Sequence, residues 1–135
     1  MKKQSTCTFK ITGWDEKPYR EFENGAKLTR AKVSQAYQGA IVGEGSIEFL
    51  MSHASDGSAS FVGLELVTGT LDGKAGSFVI QHVGTYDSGG ARSNWSIVPG
   101  SGSGELIGVT GNGGYIATSK SVPVSFSYEL PHDRK

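Results

Sequence analysis

The segment Ser121-Val-Pro-Val-Ser-Phe-Ser-Tyr-Glu-Leu130 alternates between two kinds of side chain. Its even positions carry only apolar residues, whereas its odd positions carry serine, proline and glutamate. Successive side chains of a β-strand point to opposite faces, so this pattern predicts a strand with one buried and one solvated face. A similar alternation at residues 46–52 predicts a second strand of the same kind.

Four dipeptides that are typical of tight hairpin turns divide the chain. They are Asn24-Gly25, Asp56-Gly57, Asp72-Gly73 and Asn112-Gly113. Weaker breaks fall at residues 39–45, 87–90, 99–104 and 120–123. Between the breaks the chain is rich in Val, Ile, Phe, Tyr, Thr and Ser and shows no sustained helical period, which predicts strands.

Eight strands are predicted between the breaks. They span residues 5–15, 27–38, 44–54, 59–70, 75–86, 92–98, 114–119 and 122–130. Because each turn joins neighbouring strands, the sheet should be antiparallel, with its strands in chain order. Closing the sheet removes its exposed edges, so we predict an all-β fold, an eight-stranded antiparallel up-and-down β-barrel. A two-sheet sandwich is the alternative, since alternation alone fits both folds.

Glycines that interrupt the predicted strands support a curved sheet. They are Gly63, Gly69, Gly76 and Gly84. Glycine weakens a flat strand, but barrels use it at kinks and bulges where the sheet curls. Their number therefore favours a tightly curved sheet.

Composition and charge exclude several classes of partner. Lys+Arg and Asp+Glu both number 13 in 135 residues, so the formal net charge is zero, and no basic field is available for nucleic acid. No apolar run approaches the about 18 residues of a membrane-spanning helix, and residues 1–10 lack the apolar centre of a secretory signal. Without a linker or repeat, we expect one cytoplasmic domain over residues 1–135, with no nucleic-acid or membrane partner.

Cys7 is the only cysteine, which excludes an intrachain disulfide and fits a reducing compartment. Its alternating surroundings indicate a small buried strand residue rather than a nucleophile. The histidines show no metal-ligand spacing, so we expect no metal and no other cofactor. We expect His53 at the surface or rim of the barrel and His132 in an exposed tail.

Glu65 is unexpected, because the segment Phe61-Val-Gly-Leu-Glu-Leu-Val67 is apolar on both faces. If Glu65 faces the lumen, its carboxyl is either protonated or paired with a cation such as Arg30 or His82. A carboxylate in a mostly apolar cavity suits general acid–base catalysis on a small apolar substrate. The alternative is a paired charge on the solvent face.

Gln81 and His82 stand side by side in the segment 78–86, and one of them must point inward. The inward side chain needs hydrogen bonds, so it is either a satisfied core group or a ligand contact. Tyr37 and Trp95 are candidates for the flat walls of a lumenal cavity, or they merely fill the barrel.

Several motifs resemble the DUF3224 family, a bacterial family of unknown function. They are Lys27-Leu-Thr-Arg-Ala31, Phe78-Val-Ile-Gln-His-Val-Gly-Thr85, the stretch Trp95 to Gly108, and Tyr128-Glu-Leu-Pro131. As a set they are specific, and the resemblance extends over residues 7–131.

The stretch Gly102 to Gly111 is more distantly similar to the glycine-rich signature of dirigent proteins and allene oxide cyclases. Those families form eight-stranded barrels that hold an apolar precursor in the lumen and steer its coupling or cyclisation without a metal. The resemblance implies a barrel and a homodimer or homotrimer. Ser103 and Glu105 replace their usual threonine and phenylalanine, so the fold transfers better than the reaction.

The sequence leads to a functional hypothesis: a barrel that binds a small apolar or aromatic molecule in its lumen, with cofactor-independent isomerase or cyclase activity as a candidate. Glu65 and His82 are the candidate proton-transfer groups. Further ligand contacts are expected from side chains that orient the ligand, balance charge or form walls: Gln81, Arg30, Tyr37 and Trp95. Two alternatives stay open, a carrier without chemistry and a structural or assembly protein with a packed lumen.

Overall fold

The computed structural model describes residues 2–118 and 121–131, which form a closed antiparallel barrel. The eight strands follow one another around the barrel in chain order, and the last strand pairs with the first. The predicted all-β, eight-stranded up-and-down barrel is therefore confirmed, and the two-sheet sandwich is excluded. Within the described residues, no helix is long and apolar enough to span a membrane.

Most strand bounds lie close to the breaks that the sequence predicted. They are β1 (Lys3–Glu21), β2 (Lys27–Gly39), β3 (Ile41–His53), β4 (Ala59–Leu71), β5 (Lys74–Asp87), β6 (Gly90–Ile97), β7 (Thr110–Ala117) and β8 (Ser121–Glu129). A short 3₁₀ helix, Gly104–Leu106, lies in the connection between β6 and β7.

Three of the four predicted hairpin dipeptides lie in turns, at Asn24-Gly25, Asp56-Gly57 and Asp72-Gly73. Both Asp72 and Gly73 have positive φ angles, 49° and 82°, as a type I′ turn requires. The predicted turn at Asn112-Gly113 is wrong, because both residues lie inside β7. A Cβ on Gly113 would come 2.5 Å from the Cβ of Phe126, so close packing rather than a turn explains this glycine.

Three of the predictions fall on undescribed positions. Ser119, the predicted end of the seventh strand, and Lys120, the start of the last predicted break, lie outside the described residues. His132 also lies outside them.

One half of the barrel is packed shut by the connection between β6 and β7. Fully buried apolar side chains fill this closed half, among them Leu71, Leu106, Val109 and Leu130. The connection is held to β5 by side chains that accept backbone N–H groups. The pairs are Ser101 Oγ with Val79, Ser103 Oγ with Ser77, and Glu105 Oε1 with Ala75, at 3.0–3.1 Å. The glycine-rich stretch is thus a plug, in which Glu105 has a structural role.

In the other half, the strand pairing is less complete among the described residues. There β1 pairs with β8 from Lys3 to Lys10, whereas its ladder with β2 continues to Glu21. A second, smaller apolar cluster lies in this half, built from β2, β3 and β4. We call this half of the barrel the open half, because the lumen is accessible there.

The glycines within the strands allow close approach of neighbouring atoms. A Cβ added at any of the four predicted positions would meet a heavy atom at 2.6 Å or less: Gly63, Gly69, Gly76 and Gly84. At Gly63 and Gly84 the space is taken by the rings of Phe49 and Phe61, which fill the curved interior.

Candidate functional site

Glu65 and His82 both face the interior of the barrel and are fully buried. His82 Nε2 lies 2.7 Å from Glu65 Oε1, on neighbouring strands β4 and β5. Burial of a single charge would cost several kcal/mol, so each group supplies the partner that the other needs. His82 is therefore the inward residue of the Gln81-His82 pair, and it is one of the two partners that the sequence offered for Glu65.

The second carboxyl oxygen of Glu65 accepts two further hydrogen bonds. The Tyr37 hydroxyl donates to Glu65 Oε2 at 2.7 Å, and the Gln35 amide donates to the same oxygen at 2.9 Å. The same amide nitrogen also donates to Tyr37 Oη at 2.8 Å. Two donors on one oxygen stabilise negative charge there, so the site holds a well-satisfied carboxylate.

The network continues on the far side of the imidazole. His82 Nδ1 lies 3.3 Å from Ser93 Oγ, and Ser93 is hydrogen-bonded to Tyr115. Burial, followed by the charge of Glu65, raises the pKa of Tyr37 well above its ordinary value. Burial likewise raises the pKa of Tyr115 to about 12, although the Ser93 hydrogen bond opposes that effect. Both phenols are therefore protonated at neutral pH.

Gly45 on β3 makes room for this network. A Cβ at position 45 would lie 1.9 Å from Glu65 Oε2 and 3.1 Å from the Tyr37 ring. Gly45 is also the register partner of Gln35. The missing side chain lets the carboxylate reach across β3 from β4 to β2. Sequence reasoning missed Gly45, Gln35, Ser93 and Tyr115, because no local pattern marks residues that converge from different strands.

The open half contains a cavity of about 240 Å³. Its walls are mainly aromatic and aliphatic. The lining residues are Phe9, Ile11, Trp14, Glu16, Val33, Gln35, Phe49, Met51, His53, Phe61, Tyr86, Ala91, Tyr115 and Ala117. Gln35 and Tyr115 belong both to this lining and to the Glu65 network, so the cavity and the buried polar cluster adjoin each other.

A second polar cluster lies at the mouth of the cavity. Glu16 Oε2 accepts the Thr29 hydroxyl at 2.7 Å and lies 2.8 Å from His53 Nε2, while Oε1 accepts the Trp14 indole N–H at 3.0 Å. Partial burial raises the pKa of the Glu16 carboxyl, but the hydrogen bonds from Thr29, Trp14 and His53 outweigh it and leave the pKa below its usual value. His53 lies at the rim as predicted, whereas Glu16 was missed.

Two predicted contacts lie on the outside of the barrel. Arg30 is 59% exposed in its side chain and donates from Nε to Glu48 Oε1 at 2.9 Å, so the expectation that it balances Glu65 is wrong. Gln81 is exposed and has no access to the lumen. Inward residues of β2 have odd numbers, from Thr29 to Tyr37, which explains why Arg30 points outward.

The two predicted wall residues are inside the barrel but outside the cavity lining. Tyr37 is buried in the Glu65 network. Trp95 packs in the closed half, with its ring centroid 5.6 Å from that of Phe126. Trp95 therefore fills the barrel, which was the alternative that the sequence left open.

Neither the Cys7 thiol nor a metal-binding cluster among the described residues forms a second reactive site. Cys7 is buried, as predicted, and burial raises the pKa of its thiol to about 12. Among the described residues, no three His, Cys, Asp or Glu side chains converge in a way that could hold a metal ion.

Comparison with known proteins gives a family but no activity. A family model described as "Protein of unknown function (DUF3224)" matches residues 5–129. The barrel is similar to the crystal structure of a protein of unknown function from the DUF3224 family of Shewanella oneidensis MR-1, with a TM-score of 0.77, 30% sequence identity and 96% of each chain covered. No curated protein matches the sequence.

Proposed function

The chain belongs to the DUF3224 family of unknown function, and we propose that it binds a small apolar or aromatic molecule in the lumen of its barrel. The observation that carries this proposal is the apolar cavity in the open half, which adjoins a buried polar network through Gln35 and Tyr115. Binding sites for small molecules are typically apolar concave pockets that contain a few fixed polar groups.

The volume of the cavity limits the size of the ligand. A closed apolar cavity of about 150 Å³ holds benzene, so 240 Å³ accommodates on the order of ten non-hydrogen atoms. Phe49 and Phe61 form part of the wall, and their rings pack edge to face with centroids 5.2 Å apart. Such a rigid wall favours flat ligands of one or two rings, since little side-chain entropy is lost on binding.

Proton transfer in an isomerase or cyclase reaction is a second candidate function. It is favoured by the hydrogen-bonded Glu65–His82 pair, a carboxylate and an imidazole held 2.7 Å apart in a dry environment. Neither residue lines the cavity, and Gln35 stands between the cavity and Glu65. Ligand binding without chemistry, as in a carrier, therefore has the stronger support.

A packed lumen, the third hypothesis, accounts for only part of the barrel. Trp95 and the plug residues fill the closed half, whereas the open half retains its cavity. A purely structural role would need no such cavity.

The single cysteine, Cys7, supports the proposed cytoplasmic setting, because reducing compartments disfavour disulfides.

Naphthalene is a suitable probe, since it is uncharged and has ten carbon atoms. We expect it to bind the wild-type protein with one-to-one stoichiometry, measured by protein-observed NMR titration. The substitution Ala117→Phe fills the cavity from β7 and should weaken binding by about tenfold or more. Ile116→Phe is the matched control, because the neighbouring side chain points to solvent. Equal weakening by both variants, or no saturable binding to the wild type, would refute the proposal.

A further inference from the structure

Gln35 lines the inner end of the cavity, and its amide oxygen is an unpaired hydrogen-bond acceptor. Its side chain is buried, and its amide nitrogen donates to both Tyr37 Oη and Glu65 Oε2. No donor in the described part of the chain reaches the amide oxygen Oε1. Buried polar atoms in native proteins nearly always have a partner, so this oxygen points to a ligand group.

The orientation of the Gln35 amide follows from its neighbours. Turning the amide over would place Oε1 against the carboxylate of Glu65, where two acceptors would repel each other. The Tyr37 hydroxyl cannot relieve that repulsion, because it donates to Glu65. Glu65 therefore keeps the N–H groups of Gln35 facing the network and leaves Oε1 free.

The charges around the cavity disfavour anionic ligands. Among the described residues, the lining contains no lysine and no arginine, whereas Glu16 belongs to it and Glu65 lies directly behind Gln35. Within that described lining, His53 is the one residue that can become a cation, and its Nε2 already faces Glu16. A carboxylate ligand would lose its hydration and meet like charge without a compensating partner.

We propose that the cavity selects an uncharged aromatic molecule with one hydroxyl group, such as a phenol, whose O–H donates to Gln35 Oε1. This inference rests on the proposed binding function and adds the ligand class to it. An O–H donor satisfies the free acceptor, the ring occupies the apolar walls, and no charge has to be buried. Gln35 is thus the residue that determines specificity.

Three ligands of nine non-hydrogen atoms each test the inference: 4-ethylphenol, 4-ethyltoluene and benzoate, titrated at pH 7.5 by protein-observed NMR. At this pH the phenol is neutral and the benzoate is ionised. We expect 4-ethylphenol to bind about fivefold to tenfold more tightly than 4-ethyltoluene, since one hydrogen bond is gained. We expect benzoate to bind most weakly. Binding of all three with equal affinity, or tightest binding of the benzoate, overturns the ligand class and leaves the proposed function intact.

Gln35→Met removes the acceptor while keeping the length of the side chain. This variant should bind 4-ethylphenol no more tightly than 4-ethyltoluene, whereas Gln81→Met, on the exterior, should keep the wild-type preference. A preference that survives Gln35→Met overturns the role of Gln35. If that variant does not fold, the ranking on wild-type protein still decides the ligand class. Absence of binding by all three ligands overturns this inference together with the proposed function.

Discussion

At Glu65, the barrel holds a carboxylate without contact to water because three side chains converge on it. Gln35 and Tyr37 come from β2 and His82 from β5, so the site joins strands that are not all neighbours. Such a network fixes the relative positions of the strands, and half-satisfied versions of it are costly. Glu65 is therefore a stabilising residue whether or not it also has a chemical role.

Two substitutions at this position separate shape from hydrogen bonding. Glu65→Gln can still accept from Gln35 and Tyr37, and its amide can donate to His82 Nε2 when that imidazole carries its proton on Nδ1. We expect it to lose about 1–2 kcal/mol of unfolding free energy. Glu65→Leu removes the carboxylate that Gln35, Tyr37 and His82 share, and it should lose about 3–5 kcal/mol. Urea unfolding with a common slope measures both values.

The same pair of variants tests whether Glu65 takes part in proton transfer. If Glu65→Gln folds and still binds ligand but loses turnover, that result supports proton transfer at Glu65. If Glu65→Leu is as stable as Glu65→Gln, the network does not stabilise the barrel, and our account of this site is wrong.

The direction of the Glu65 side chain could not be read from its own strand. Val62, Leu64 and Leu66 face outward and are about half exposed, whereas Phe61 and Val67 face inward and are buried. Both faces of β4 are therefore apolar, and alternation carries no information about which is the interior. The partners of Glu65 decide its direction, and they lie 17 to 30 positions away in the sequence.

At the scale of the strand, local patterns predicted most of the architecture. Alternation and turn dipeptides depend on neighbouring residues only, so β2, β4 and β8 were predicted within about two residues of their observed bounds. β1 extends six residues beyond its predicted end because its polar segment still pairs with β2, up to Glu21 with Lys27. Pairing of polar residues leaves no hydrophobic signature in the sequence.

The close pairing of β3 with β4 requires glycine at positions 43 and 69. They are direct register partners, with φ angles of 156° and 154°. A Cβ on Gly69 would lie 2.0 Å from the Val42 carbonyl oxygen, and one on Gly43 would lie 2.1 Å from that of Thr68. Since these neighbours are backbone atoms, neither can move away without opening the ladder.

Gly69→Ala should therefore destabilise the protein by about 3 kcal/mol or more, through the clash and through backbone strain. Gly57→Ala is the matched control, because Gly57 also has a positive φ, 92°, but no atom lies within 4 Å of the added Cβ. The control should cost only about 1 kcal/mol. Thermal and urea unfolding of both variants measure the difference, and equal losses would contradict the steric argument.

At the scale of the whole molecule, one half of the barrel is packed and stabilises the fold, and the other half contains the candidate binding cavity. The glycine-rich plug and the residues around Leu106 close one half, while Gln35, His53 and their neighbours surround the cavity in the other. The motif that resembles barrel enzymes thus lies at the end away from the cavity. Its resemblance identified the fold, whereas the candidate site depends on contacts between distant strands.

The exterior of the barrel carries an apolar face centred on β4. Val62, Leu64 and Leu66 lie along that strand, and Val62 is flanked by Leu50 on β3 and Val83 on β5. All of these side chains are about half exposed. Contiguous apolar patches of this kind mark interaction surfaces. We propose that a second copy of the chain covers this face, because the barrel families that the sequence resembles form homodimers or homotrimers. The formal net charge of zero adds no general repulsion between copies.

Leu64→Glu tests this proposal, since it adds a carboxylate to the face beside Glu48, its register partner on β3, without touching the interior. We expect the wild-type protein to form a homodimer or homotrimer in light scattering after size exclusion, and Leu64→Glu to be monomeric because a buried unpaired charge costs several kcal/mol. Ile116→Glu changes an equally exposed apolar residue on β7 and should leave the oligomer intact. A monomeric wild type, or an oligomer that tolerates Leu64→Glu, would place the interface elsewhere or exclude it.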